Sequence, residues 1–177
     1  MRAPLLRTTR LVLRPYELAD LDALHEYRSH PDWARYLSLP QPYTRADAAR
    51  HLAEYVNLDA STHAFWAIEH EGRAVGNIDT ERETPRRALA GWGIARHLWG
   101  SGLTTEAAQA VMDWSFETWP IRRWYAFASA DNPGSWRVME KLGMRREATL
   151  RQHRDEREGA ADEVWYGILR DEWEARR

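Results

Sequence analysis

The residues best suited to chemistry are the glycines and hydroxyl side chains of one short turn. Gly100 and Gly102 precede a helix-like run, and Thr104 and Thr105 fall in its first turn. The first amides of a helix lack partners within it, and the helix dipole favours negative charge there. Glycine also leaves the backbone open to a close ligand. The pattern predicts a phosphate or pyrophosphate site, although the two glycines taken alone favour a purely structural tight turn.

Two common nucleotide-binding motifs are excluded at this turn. A P-loop would close with Gly-Lys-Ser/Thr, which is absent here. A dinucleotide fingerprint would carry a third glycine where Thr105 stands. The predicted phosphate site therefore belongs to another kind of motif.

A second motif lies further along the chain, and the two together resemble those of a known family. The sequence reads WGSGLTTEA from Trp99 to Ala107 and NPGSWRVMEKLGM from Asn132 to Met144. Both resemble the coenzyme A motifs of the GNAT acyltransferases, especially the Rim-type branch that acetylates N-termini of ribosomal proteins. The likeness extends from the opening TTRLVLRP to Leu169–Trp173, and so covers nearly the whole chain.

This resemblance implies acetyl-CoA as cofactor and transfer of an acetyl group to an amine. In the family the pyrophosphate lies on the glycine turn, the pantetheine arm pairs with the preceding strand, and the asparagine holds its end. The corresponding residues are Gly93, Ile94, Ala95, Gly100, Ser101, Gly102, Leu103, Thr104, Thr105 and Asn132. Arg96 and His97 are further candidates for the phosphates. Asn132, which precedes Pro133, is also well suited to cap a helix.

The resemblance offers Ser135 as a further cofactor contact and as the proton donor to the departing thiolate, although an ordinary first-turn serine is an equal interpretation. Many GNAT enzymes use a tyrosine seven residues after the asparagine, where this chain has Met139. Relatives often carry a glutamate in the strand before the glycine turn, where this chain has Ala90-Gly91-Trp92. The general base that would deprotonate the acceptor amine is therefore unassigned. Its candidates are Asp79 and Glu81, followed by Glu83, Asp155, Glu156, Glu158 and Asp162.

Aromatic residues provide candidates for an acceptor pocket, because the chain has 10 tryptophans. Flat apolar walls suit a hydrophobic or cationic acceptor. The candidates are Trp33, Tyr36, Trp66, Trp92 and Tyr166. An ordinary aromatic core is the competing interpretation for each of them.

The order of predicted elements indicates an α+β fold with a mixed sheet, formed by a single domain over residues 1–177. Strands are predicted at 10–14, 65–70, 75–81, 89–95, 123–129, 144–150 and 163–170. Helices are predicted at 17–29, 44–57, 104–119 and 133–142, with a charged loop at 151–162. The family resemblance adds a strong bend in the sheet, which is splayed open where the cofactor enters.

Composition narrows the range of partners. The net charge is −2 without a basic block, which disfavours nucleic acid, and the apolar runs are too short for a membrane helix. The N-terminus does not read as a signal peptide, so a cytoplasmic location is expected. The absence of cysteine excludes a cysteine nucleophile and cysteine metal ligands. The 7 histidines show no zinc-type pair, so no metal is expected. Family members suggest a homodimer.

Three functional hypotheses remain open from the sequence. The first is acetylation of a protein N-terminal amine, as the Rim-type resemblance suggests. The second is acetylation of a small amine, such as an antibiotic, a polyamine or an amino-acid derivative. The third is a non-catalytic sensor of acyl-CoA. Acceptor loops transfer poorly between members of one fold, so the motifs do not separate the first two.

Overall fold

One eight-stranded sheet organises the protein, whose computed structural model describes residues 2–37, 39–156 and 159–177. The strands are β1 (Leu6–Arg7), β2 (Val12–Arg14), β3 (His63–His70), β4 (Arg73–Thr84), β5 (Arg87–Ile94), β6 (Arg123–Ser129), β7 (Arg145–Glu156) and β8 (Gly159–Leu169). They lie in the order β1-β2-β3-β4-β5-β6-β8-β7. The β5–β6 pair is parallel and the other pairs are antiparallel, which confirms the predicted mixed sheet.

The helices follow local signals that are visible in the sequence. They are α1 (Leu21–Arg28), α2 (Pro31–Ala34), α3 (Arg45–Tyr55), α4 (Leu103–Thr118), α5 (Pro133–Lys141) and α6 (Arg170–Glu174). Thr44 caps α3 by accepting a hydrogen bond from the Asp47 amide at 3.1 Å, and Asp47 reciprocates, so the predicted capping box forms. The short helices α2 and α6 were not predicted. Each has too few residues to show a helical period.

The sheet divides between β5 and β6. These strands pair only from Arg87–Leu89 against Arg123–Tyr125, after which β5 continues to Ile94 without β6 beside it. Trp92 lies beyond the last pair and stacks on Trp124, which is within the paired part of β6, with ring centroids 6.3 Å apart. The result is a cleft between two arms of the sheet, as the family resemblance implies.

The strand register decides which side chains share a face. Trp66, Ile78 and Trp92 lie opposite one another on β3, β4 and β5, and Trp66 packs against Trp114 of α4. Alternation places their neighbours, including Phe65, on the other face of the sheet. There Phe65 stacks on Tyr55 of α3 with ring centroids 4.0 Å apart. We call these the α4 face and the α3 face.

The predicted charged loop at 151–162 is wrong. Strand β7 continues through Glu156, and β8 begins at Gly159. A bulge at Gln152 (φ 50°) places its amide 2.9 Å from the Asp162 carboxylate, and Arg154 pairs at 2.8 Å with the buried Glu163. These contacts across the hairpin pair its charged residues. From the sequence alone, a hairpin rich in charged residues cannot be distinguished from a solvated loop.

In the described ranges, none of the helices has the length and apolar character that crossing a membrane requires.

The close approach of β4 and β5 makes Gly76 a test of the register. A Cβ at this position would lie 2.4 Å from the Gly93 carbonyl oxygen, and backbone cannot move aside cheaply. We expect Gly76→Ala to lower the free energy of unfolding in urea by about 1–3 kcal/mol, the usual cost of overpacking. Gly134→Ala is the control, because its Cβ meets only the Asn132 side chain at 3.4 Å. Equal urea midpoints for the two variants would contradict the register.

Candidate active site

The glycine turn has the geometry of an anion site. Gly100 and Gly102 have φ angles of 78° and 82°, a left-handed conformation that suits glycine. Gly102 caps α4 without a side chain, and the described residues provide no acceptor for the amides of Gly102, Thr104 and Thr105. Three unpaired donors at the positive end of a helix dipole suit a phosphate group.

A cation beside this turn was missed by the sequence analysis. Glu106 accepts hydrogen bonds from the Arg10 amide at 2.8 Å and from Arg10 Nε at 2.7 Å, and Thr8 Oγ1 donates to it at 2.6 Å. Arg10 Nη1 donates to the Ser101 carbonyl at 3.0 Å, and Nη2 lies 3.5 Å from the position of a Cβ on Gly102. The guanidinium thus borders the anion site. Arg10 and Glu106 are 96 positions apart, so no local pattern relates them.

The edge of β5 that faces the cleft offers backbone groups to a ligand. The Ala95 amide donates to Val75 on β4 at 2.7 Å. Because successive groups alternate between the two edges of a strand, the amide of Ile94 points toward the cleft, where β6 has separated. The Ile94 carbonyl accepts from Trp99 Nε1 at 2.9 Å. Of the predicted Gly93, Ile94 and Ala95, the Ile94 amide is therefore the donor directed into the cleft.

The second motif forms the start of α5. Asn132 Oδ1 accepts from the Ser135 amide at 3.2 Å, so Asn132 is a helix cap, one of its two sequence interpretations. Ser135 Oγ makes no hydrogen bond within the described residues and is partly exposed. Met139 is buried in the core, where it replaces the tyrosine of many GNAT enzymes. Ser135 therefore stays a prediction as proton donor.

A short segment, residues 31–37, connects the two arms of the sheet. Asp32 pairs with Arg96 at 3.1 Å, and Trp33 packs so closely on Gly93 that a Cβ there would lie 2.6 Å from the indole. On the other arm, Tyr36 donates from its hydroxyl to the Asp131 carbonyl at 2.6 Å and accepts from Arg154 at 3.0 Å through its own carbonyl. The contacts on both arms place this segment across the cleft. Arg96, which the sequence offered as a candidate to bind the phosphates, is instead paired with Asp32 of this segment.

A histidine and a carboxylate meet on the α3 face. His63 Nε2 lies 3.0 Å from Asp79 Oδ2, and the two side chains are 28% and 22% exposed. A Cβ on Gly91 would lie 3.0 Å from Asp79 Oδ1, so the carboxylate covers a position of β5 that lacks a side chain. Burial lowers the pKa of His63, but the hydrogen bond and charge of Asp79, with the charge of Glu81, outweigh it and raise the pKa above 6.5.

The other candidate bases are less well placed. Glu83 accepts from the Tyr125 hydroxyl and pairs with Arg87 at 3.2 Å. Burial, followed by this hydrogen bond to Glu83, raises the pKa of Tyr125 to about 12. Asp162 holds the hairpin bulge, and Asp155 is exposed on β7. Glu156 ends β7, and Glu158 lies outside the described residues.

The five aromatic candidates are not brought together. Trp33 and Tyr36 lie on the segment across the cleft. Trp66 is fully buried on the α4 face, where its indole donates to the Pro4 carbonyl at 2.7 Å, so it cannot line an acceptor pocket. Trp92 also points to the α4 face, beside Trp124. Tyr166 is buried with its hydroxyl 3.2 Å from Glu140 of α5.

Comparison with known proteins gives the family. A family model described as "Acetyltransferase (GNAT) domain" matches residues 10–145, and this chain belongs to that family. It is 29% identical over 177 residues to an uncharacterized N-acetyltransferase, p20, of Bacillus licheniformis, covering 95% of this chain and 97% of the relative. It is 27% identical over 140 residues to spermidine N(1)-acetyltransferase of Escherichia coli strain K12, covering 78% and 74%.

Solved structures show the same fold. A GNAT-family acetyltransferase from Bacillus anthracis superposes with a TM-score of 0.85 at 28% identity, covering 96% of this chain and 100% of the other. RimL, a ribosomal L7/L12 α-N-protein acetyltransferase in complex with coenzyme A, superposes with a TM-score of 0.85 at 20% identity, covering 94% and 98%. The protein is therefore an acyltransferase enzyme that uses acetyl-CoA.

Gly102 allows the anion site to be tested separately from backbone strain. We expect Gly102→Ala to weaken binding of acetyl-CoA, because the substitution disfavours the left-handed turn that presents the free amides. The measurement is the rise in melting temperature on addition of acetyl-CoA.

Gly72→Ala is the matched control for this variant. Gly72 has a φ of 77° and nothing within 4 Å of its Cβ position, so it carries a similar backbone cost away from the site. Both variants should lose stability without ligand, whereas only Gly102→Ala should lose part of the ligand-induced shift. An equal shift in both would argue against the glycine turn as the cofactor site.

Proposed function

We propose that this enzyme acetylates a small, positively charged primary amine, with acetyl-CoA as donor. The observation that carries the proposal is the pair of carboxylates, Asp79 and Glu81, on the α3 face of β4. Asp79 lies over Gly91 at the edge of the cleft, and Glu81 is exposed beside it with its charge acting on His63. Carboxylates at a partly exposed site attract an ammonium group and orient it.

Aromatic rings complete the surroundings of these carboxylates. Phe65 lies opposite Asp79 in the sheet and contacts the rings of both His63 and Tyr55, with centroids 6.1 Å and 4.0 Å away. An aromatic face beside a carboxylate favours an alkylammonium group. Arg28, a cation on this face, is 5% exposed and lies 5.1 Å and 5.2 Å from the ring centroids of Tyr55 and Trp33. The charge of Arg28 is therefore buried next to these rings and is not exposed at the acceptor site.

The segment at residues 31–37 argues for a small acceptor. Trp33 covers Gly93 on β5, and Tyr36 contacts Asp131 beyond the end of β6, so the mouth of the cleft is crossed from one arm to the other. An extended peptide needs a groove that continues past its reacting amine. The protein N-terminus implied by the Rim-type resemblance is the alternative acceptor. It would require this segment to move.

The residues of the cleft fit acetyl-CoA. The free amides of Gly102, Thr104 and Thr105, with Arg10 beside them, would hold the pyrophosphate, and the Ile94 amide would pair with the pantetheine arm. Bound there, acetyl-CoA supplies an activated acetyl thioester. A backbone amide fixed on β5 is suited to polarise a carbonyl, since it needs no rearrangement during the reaction.

The acceptor class is tested by thiol release with three probes: spermidine, glycine and a short peptide with a free N-terminal serine. We expect kcat/KM for spermidine to exceed that for the peptide at least tenfold, since a carboxylate-lined site favours a multiply charged amine. A preference for the peptide would overturn the small-acceptor proposal. A preference for glycine would overturn the requirement for net positive charge.

Glu81→Gln tests the contribution of charge. We expect KM for spermidine to rise about two- to fivefold with little change in kcat, which is the scale of one exposed charge pair, and the effect should shrink in high salt. Glu71→Gln is the matched control, since Glu71 is exposed in the turn at the opposite end of the same hairpin. Equal KM values for both variants would exclude Glu81 from the acceptor site.

A further inference from the structure

The structure leaves one ring nitrogen of His63 without a role in holding the fold. Asp79 accepts from Nε2, so a neutral His63 carries its proton there and has its lone pair at Nδ1. Within the described residues Nδ1 has no hydrogen-bond partner, and the side chain is 28% exposed. A partly exposed imidazole with one nitrogen fixed by a carboxylate and the other free has the arrangement of an oriented base.

Asp79, the partner of His63, lies near the point where the cleft between β5 and β6 begins. Gly91 follows the last β5–β6 pair by two residues, and Asp79 Oδ1 lies 3.0 Å from its Cβ position. Trp92 and α4 cover the opposite face, while Trp33 covers Gly93 on this face. Asp79 therefore lies between His63 and Gly91 on the α3 face, close to the point where β5 and β6 separate.

We propose that His63 is the base that deprotonates the acceptor amine and that Asp79 is its positioning residue. His63 Nδ1 accepts one proton from the acceptor ammonium. The freed nitrogen lone pair forms the new C–N bond, and the C–S bond of the thioester breaks. The sulfur leaves with the electron pair of the C–S bond and takes up the second proton shed by nitrogen. His63 later releases its proton to water. The inference rests on the proposed acceptor site, but not on the identity of the amine.

The groups that face His63 set the pH at which it acts. They are Asp79 and Glu81 on β4, whereas β5 presents Gly91 here without a side chain. The charge of Asp79 also acts on Tyr55 of α3. The two carboxylates favour the protonated imidazole, which cannot accept a proton. We therefore expect kcat/KM to fall as pH drops through the pKa of His63. Asp79→Asn should lower that pKa and move the fall to lower pH.

The test compares His63→Gln and Asp79→Asn with the wild type on whichever probe it acetylates best. We expect His63→Gln to lower kcat about 10²–10⁴-fold, the usual contribution of a general base, with little change in KM, and to abolish the acid limb of the pH profile. Asp79→Asn should lower kcat less and shift that limb. His153→Gln is the control, since His153 is 56% exposed on β7, and it should behave as wild type.

Two further readouts make each outcome decisive. The melting-temperature shift with acetyl-CoA should persist in both variants, which separates loss of the base from loss of folding or of the cofactor. Titration of the His63 ring signals by NMR without cofactor should give a lower pKa in Asp79→Asn, and an unchanged value would overturn the pairing. Wild-type kcat and an unchanged acid limb in His63→Gln would overturn the base. If the peptide is the best probe, only the small-acceptor proposal fails.

Discussion

The separation of β5 from β6 is the constraint on which the rest of the site depends. Two strands that paired along their full lengths would satisfy each other's backbone groups and leave no edge for a ligand. Here pairing ends at Leu89 and Tyr125, and the Ile94 amide is left facing the cleft. The chain then turns through Gly100 and Gly102 into α4, whose unpaired amides continue the same line of donors.

Charge is divided between the two ends of this cleft. Arg10 and the first amides of α4 lie at the glycine turn, while Asp79 and Glu81 lie on the α3 face near the fork of the strands. The anionic cofactor and the cationic acceptor that we propose would therefore be attracted to different places, with their reactive groups between them. Such orientation supplies a large part of the acceleration of a bimolecular transfer.

The segment at residues 31–37 is held mainly by polar contacts at the surface. The pair between Asp32 and Arg96 has side chains 56% and 48% exposed, and exposed pairs contribute little to stability. Trp33, with 7% exposure, is the buried anchor against Gly93. Under the small-acceptor proposal this segment would limit acceptor size. It is anchored by the buried Trp33 and Ala34 and by a few solvent-exposed contacts.

The sequence by itself determined the order of the main strands and helices, although not β1, α2 or α6, and also the α3 capping box and the glycine turn, because these depend on residues close together in the chain. The Asn132 cap was one of its two interpretations of that residue. The sequence also determined the family through two ordered motifs, which the family model confirms. Tertiary structure alone decided that His63 meets Asp79, that Arg10 borders the turn, and that Trp66 faces away from the acceptor side. Strand register and long-range packing create these contacts, and the periodicity of one segment does not say which distant segment it will pack against.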